Sequence, residues 1–140
     1  MKRRIMAMLL SLALCLSLLP GVVLADEATA AADATVINSQ GAFDALFANG
    51  GSEDALAGNY TLGTDISVST PIGNSRTPFT GTFDGDGHTI TLNITGDNYQ
   101  ALFGYVVGGT VKNLTVKGSV NGTSYVAGVV AYNNGGTIEN

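Results

Sequence analysis

The sequence predicts a mostly β protein, a parallel β-helix of stacked coils preceded by a short helix-containing cap. From Phe79 onward, short apolar–polar alternations are separated by glycines and show no helical period. The segment "YVVGGTVKN" (residues 105–113) also recurs further along the chain as "YNNGGTIEN" (residues 132–140). A repeat of this length contains several short strands. Because one coil alone cannot bury its inward face, we expect successive coils to stack on one another.

The first 25 residues have the order of a secretory signal peptide, with a basic start, an apolar helical stretch and small residues at its end. "MKRR" is followed by apolar residues 5–19, and "VLA" (residues 23–25) predicts cleavage after Ala25. Residues 5–25 are just long enough for a membrane anchor, but Pro20 and Gly21 favour cleavage. We therefore expect a secreted or cell-surface protein without membrane contact after cleavage.

Cleavage would change the composition of the chain. The mature chain keeps three basic residues (Arg76, Lys112 and Lys117) against eleven acidic ones, so its formal charge is −8. A chain this acidic does not bind phosphate backbones by bulk charge, which argues against nucleic acid as a partner. The single cysteine, Cys15, leaves with the signal peptide, which excludes a disulfide or a thiolate metal site in the mature chain.

Residues 26–78 precede the predicted coils. Residues 26–35 are rich in Ala, Asp and Thr without an apolar period, which predicts a disordered leader. Residues 36–78 are expected to form the N-terminal cap. Four apolar residues between 42 and 47 share one helical face, Ser39 can act as N-cap, and Gly50-Gly51 is a stop signal, so we predict a helix over about 41–48. "NYTL" and "ISV" then predict two strands.

Residues 79–140 are expected to form the coils. "HTITLNI" (residues 88–94) resembles an earlier, looser copy of "TVKNLTV" (residues 110–116). The closer repeat pairs Val111 with Ile138, Lys112 with Glu139, and Asn113 with Asn140. We expect the first pair to point inward, the second to form an exposed ion pair, and the third to form a side-chain ladder. The predicted inward residues are Phe79, Phe83, Ile90, Leu92, Ile94, Leu114 and Val116.

"FDGDGH" (residues 83–88) holds two carboxylates and the only histidine of the chain. Asp84 and Asp86 do not match an EF-hand loop, although a weak calcium site at this turn stays open. His88 alone supplies too few ligands for zinc. An acid–base pair for polysaccharide cleavage would need carboxylates from several coils. We interpret the segment as a turn leading into a strand, and we predict no catalytic, cofactor-binding or metal-binding residues and no cofactor.

Four tyrosines recur in the predicted coils: Tyr99, Tyr105, Tyr125 and Tyr132. We interpret them as stacked pairs that hold neighbouring coils together, because aromatic residues at matched positions pack on one another. The alternative is a carbohydrate-binding strip on one face.

Three segments resemble the GLUG-motif repeats of large bacterial surface proteins: "GTFDGDGHTI", "ALFGYVVGGTVKNLTVKGSV" and "VAGVVAYNNGGTIEN". The resemblance covers about residues 60–140, although Ala101 stands where the motif has its first Gly. It implies a right-handed parallel β-helix in an adhesin-like protein.

The expected function is thus that of an exported, adhesive or structural, non-catalytic region. Its expected partners are a carbohydrate or a host or cell-surface protein. The alternative is the N-terminal, non-catalytic part of a larger secreted polysaccharide-active enzyme or peptidase. The sequence stops within a repeat, which predicts further repeats of the same chain beyond Asn140.

Overall fold

A computed structural model describes residues 33–140, which form short strands with little helix. The strands are β1 (Thr35–Ile37), β2 (Asn59–Leu62), β3 (Ile66–Val68), β4 (Thr82–Asp84), β5 (Thr89–Thr95), β6 (Asn98–Gln100), β7 (Phe103–Val107), β8 (Thr110–Lys112), β9 (Thr115–Asn121), β10 (Ser124–Val126), β11 (Val130–Asn134) and β12 (Thr137–Glu139). The expected signal peptide and leader residues 26–32 lie outside the described residues. Thr35, the last residue of the expected leader, begins β1.

The helical part of the chain lies between β1 and β2. Helix α1 (Gln40–Phe47) matches the predicted helix within about one residue, and the Ser39 hydroxyl accepts a hydrogen bond from the Ala42 N–H at 3.1 Å. A 3₁₀ turn (Ala48–Gly50) and helix α2 (Glu53–Leu56) follow. Because α2 is a single turn, it has no periodic apolar pattern from which it could be predicted. None of the helices within residues 33–140 has the length and apolarity needed to cross a membrane.

All strand pairs among the described residues are parallel. They form four sheets, with orders β1-β2-β4-β8-β12, β3-β5-β9, β6-β10 and β7-β11. We call β2–β3, β4–β7 and β8–β11 successive repeats, because each strand pairs with its equivalent in the next repeat. Val111 pairs with Ile138, which confirms the register predicted from the closer repeat.

The correspondence between residues 88–94 and residues 110–116 is wrong. Ile90 of β5 pairs with Val116 of β9, and Val111 of β8 pairs with Phe83 of β4. The two segments are alike because Leu92 matches Leu114 and Ile94 matches Val116. The pairing instead follows the order of strands within each repeat, so that β5 lies beside β9.

The core contains all five phenylalanines of the chain in one continuous series. Ring centroids lie 5.0 Å apart for Phe43 and Phe47, 6.4 Å for Phe47 and Phe83, 5.3 Å for Phe83 and Phe103, and 4.8 Å for Phe103 and Phe79. This series joins helix α1 to the sheets. Of the predicted inward residues, Leu114 and Val116 are only half-buried, and the others are buried.

The last strand departs from the expected burial. Val111 is fully buried, but its partner Ile138 is 46% exposed, because β12 is the outermost strand of its sheet within the described residues. The expected ion pair between Lys112 and Glu139 is also wrong. The Lys112 ammonium lies 3.5 Å from the Asp84 carboxylate, on the opposite side of β8.

The predicted asparagine ladder is replaced by a different contact. The Asn113 side-chain amide donates to the Asp84 carboxylate at 3.1 Å and not to Asn140. Asn113 also has a φ of 54°, a conformation in which Asn is more easily accommodated than most residues. The residue therefore both forms the turn and links it to the preceding repeat.

Helix α1 covers one of the sheet edges. The Gln40 side-chain amide donates to the Ser67 carbonyl at 2.8 Å, and its oxygen accepts from the Ser67 N–H at 2.7 Å. The amide thus forms the two hydrogen bonds that a further strand would form beside β3. Such coverage protects an edge strand from pairing with another chain.

Candidate functional site

The "FDGDGH" segment forms the predicted turn between β4 and β5. The Asp84 carboxylate accepts a hydrogen bond from the Asp86 N–H at 2.9 Å, and the His88 N–H donates to the Gly85 carbonyl at 2.8 Å. Asp86 and Gly87 have φ values of 47° and 78°. This turn needs Gly and Asp for their backbone conformations and for a short acceptor side chain.

The carboxylate of Asp84 is held by charge and by hydrogen bonds. Partial burial raises its pKa, but the Asp86 N–H, the Asn113 amide and the Lys112 ammonium together outweigh burial, and the pKa lies below its usual value. Asp84 therefore stays ionised at neutral pH. An ionised carboxylate fixed by three donors suits a structural role better than that of a proton donor.

His88 is half-buried, and a carboxylate contacts it. Its Nδ1 is 3.2 Å from the Asp65 carboxylate, which also accepts from the Thr89 N–H at 2.9 Å. The Thr89 hydrogen bond, followed by the contact with His88, lowers the pKa of Asp65. These contacts fasten the start of β5 to the residue just before β3.

The acidic residues do not recur along the stack. Lys112 occupies the position of Asp84 in the next repeat, and the turn from β8 to β9 is shorter than the turn from β4 to β5, so Asp86 has no equivalent. Within residues 33–140, no group of three His, Cys, Asp or Glu side chains lies close enough to hold a metal ion. The hydrogen bonds of Asp84 and His88 are those of a turn between two strands.

The four tyrosines form one cluster on the protein surface, which we call the tyrosine patch. Tyr99 stacks on Tyr125, with ring centroids 4.6 Å apart and planes 11° apart, and Tyr105 stacks on Tyr132 at 4.2 Å and 21°. The two stacks touch edge to face, for example at 5.4 Å between Tyr99 and Tyr105. This confirms the predicted stacking between neighbouring repeats.

The rings of the patch are accessible to different degrees. Tyr125 is 56% exposed, and the other three are half-buried. Desolvation and the adjacent Tyr132 raise the pKa of Tyr105, so its hydroxyl stays protonated at neutral pH. The patch thus presents aromatic carbon together with hydroxyl donors and acceptors.

Two tyrosines of the patch have a left-handed backbone. Tyr99 and Tyr125 have φ values of 57° and 54°, whereas the other non-glycine residues with positive φ in residues 33–140 are Asn49, Asp86 and Asn113. This conformation costs about 1–2 kcal/mol for a bulky residue. A stacked pair contributes about 0.5–1.5 kcal/mol beyond its buried area. Asn or Gly would adopt this backbone with less strain.

A groove with a volume of about 240 Å³ adjoins Tyr99. The side chains lining it include Asn49, Thr70, Asn74, Ser75, Asn98 and Gln100, and none of the lining residues is charged. Sequence reasoning missed this groove, because its residues come from three separate segments. The one sequence signal for the groove was the repetition of "NYQ" (residues 98–100) as "SYV" (residues 124–126). This signal indicates only the wall of the groove that residues 98–100 form.

Comparisons with protein-family models, with curated proteins and with solved structures gave no match to this chain.

Proposed function

We propose that residues 33–140 are the capped start of a right-handed parallel β-helix. The supporting observation is that all strand pairs within residues 33–140 are parallel, and that those among β2–β11 join equivalent strands of successive repeats. A connection between two parallel strands of one sheet is right-handed in about 98% of cases, which favours this hand. The Gln40 contact to Ser67 is consistent with a stack that is closed at this edge.

We further propose that the chain is exported and serves as an adhesive or structural, non-catalytic region at the cell surface or in the medium. The parallel repeat register carries this proposal, because a stack of coils displays surface side chains at regular spacing on a rigid support. The amino-terminal signal-peptide pattern and the resemblance of residues 60–140 to GLUG-motif repeats also support it.

Export can be tested by expressing the full chain in a bacterium and by locating it in separated cell fractions. We expect the protein in the medium or on the cell surface, with Asp26 as its first residue. A chain that keeps Met1 and stays in the cytosol would contradict the proposal. Adhesion is then measured as retention of the expressing cells on coated surfaces, with cells that carry the empty vector as control.

A further inference from the structure

We propose that the tyrosine patch and the adjoining groove together form a binding site for a neutral oligosaccharide. This inference deepens the proposed function and rests on it, because a cell-surface protein meets glycans outside the cell. It names a ligand class for a surface that stacking alone does not explain.

The first argument is the choice of tyrosine at two strained positions. Tyr99 and Tyr125 occupy backbone conformations that Asn or Gly adopts more easily. Strained residues persist where the surrounding structure holds them, and they are concentrated at ligand sites. The tyrosine side chains therefore have a use beyond the stability of the fold.

The second argument is the chemistry of the patch. A sugar ring has an apolar C–H face and a rim of hydroxyl groups. Tyrosine offers a matching surface, since its ring is apolar and its hydroxyl both donates and accepts. Tyr99 lines the groove, and Tyr125, which is more than half exposed within residues 33–140, stacks on its ring. Tyrosine also loses little conformational entropy on binding, because its side chain has only two rotatable bonds.

The third argument is the hydrogen-bonding capacity of the groove. Asn74 uses its oxygen for the Arg76 and Thr77 N–H groups at 2.9 and 3.1 Å, which leaves its amide N–H groups available. Gln100 is only 9% exposed, and its Nε2 donates to the Asn98 carbonyl at 2.8 Å. Within residues 33–140, the Oε1 atom of Gln100 accepts no hydrogen bond. Every fully buried side-chain nitrogen or oxygen in this range has a partner, so Oε1 must be accessible to solvent. Both residues line the groove, and an amide donor together with an amide acceptor suits hydroxyl groups, which do both.

The fourth argument is the absence of charge among the groove residues. A nucleotide, a phosphorylated ligand or a charged peptide would require an ionic partner there, and the lining side chains are neutral amides, hydroxyls and Tyr99. The groove volume lies below the range of about 300–1,000 Å³ typical of sites for drug-sized ligands. We therefore assign one sugar ring to the groove and the neighbouring rings of the oligosaccharide to the tyrosines.

The test uses the intrinsic fluorescence of the exported protein. The chain has no tryptophan and five tyrosines, of which only Tyr60 lies outside the patch, so the signal reports mainly on the proposed site. The probes are neutral hexasaccharides of glucose, of mannose and of N-acetylglucosamine. We expect at least one to change the fluorescence saturably, with a dissociation constant of about millimolar or tighter.

Tyr125→Asn is the decisive variant, because Asn tolerates the left-handed backbone and position 125 is exposed. We expect it to weaken binding about tenfold or more while the melting temperature stays near that of the wild type. Gln100→Leu should also weaken binding. The melting temperature of this variant shows whether it is folded. Val36→Asn changes an exposed apolar residue on β1 and should leave binding unchanged.

Three results would overturn the inference: no saturable signal with any hexasaccharide, binding that Tyr125→Asn leaves intact, or binding only of a proline-rich peptide or of tetramethylammonium. If Tyr125→Asn does not fold, chemical-shift mapping of the wild-type protein decides, since the tyrosine resonances must move on addition of the sugar. An exported protein that binds no sugar would contradict this inference alone, whereas a sugar-binding protein retained in the cytosol would contradict the proposed function alone.

Discussion

Replacement of Phe83 by alanine should destabilise the protein more than any surface change. Phe83 is fully buried on β4 between its strand partners Tyr60 and Val111, and its ring packs against Phe47 of helix α1 and against Phe103 of β7. Deletion of a buried phenyl ring removes its transfer free energy and leaves a cavity, at a cost of about 3–5 kcal/mol. The total free energy of unfolding of a domain is about 5–15 kcal/mol, so this loss is a large fraction of it.

The assay is urea unfolding of the chain from Asp26, followed by circular dichroism, with Val36→Ala as a control that should change stability by less than about 0.5 kcal/mol. Phe47→Ala alone and combined with Phe83→Ala completes a double-mutant cycle. Because the two rings lie 6.4 Å apart, we expect a coupling free energy of about 0.5–1.5 kcal/mol. The packing of α1 against the sheets through this aromatic series would be refuted by either of two results. One is a loss of unfolding free energy below about 1 kcal/mol for Phe83→Ala, and the other is additive effects of the two changes.

Three further predictions follow from local contacts. Gln40→Ala removes two hydrogen bonds from the edge of β3, so the free energy of unfolding should fall by about 1–3 kcal/mol. Hydrogen exchange of the Ser67 amide should become faster, and unchanged exchange would count against the covered edge. Gly118→Ala places a Cβ against the backbone of the neighbouring repeat at a φ of 110°, so it should unfold well below the wild-type temperature. Gly128→Ala should not, because its Cβ would make only an ordinary contact of 3.7 Å with the Val116 side chain. Asp84 has a lowered pKa in the folded protein, so its ionised form stabilises the fold above the ordinary value of 3.8. This contribution is lost as the pH falls through the lower folded-state pKa. Asp84→Asn should therefore reduce the loss of stability at acid pH, and an unchanged loss would argue against the ionised contact.

The sequence alone determined the local features of this protein. The helix with its Ser39 N-cap follows from apolar spacing and a capping hydroxyl, both of which act within a few residues. The register of Val111 with Ile138 follows from two nearly identical segments, which predict identical places in successive repeats. The "FDGDGH" turn follows from the backbone preferences of glycine and aspartate. The pairing of the tyrosines in stacks follows from their recurrence.

Tertiary structure decided the contacts between residues that are far apart in the chain. The register of β5 with β9 depends on the turn lengths within two repeats, so the similarity of residues 88–94 to residues 110–116 was misleading. Lys112 pairs with Asp84 of β4 and not with Glu139 of β12. Strand β8 lies between these two strands, and the sequence repeat indicates only β12 as its neighbour. The neutral groove beside the tyrosine patch likewise comes from three distant segments. Ile138 carries the same apolar character as Val111 but stays half exposed, because within the described residues no further strand pairs with β12 on the side away from β8.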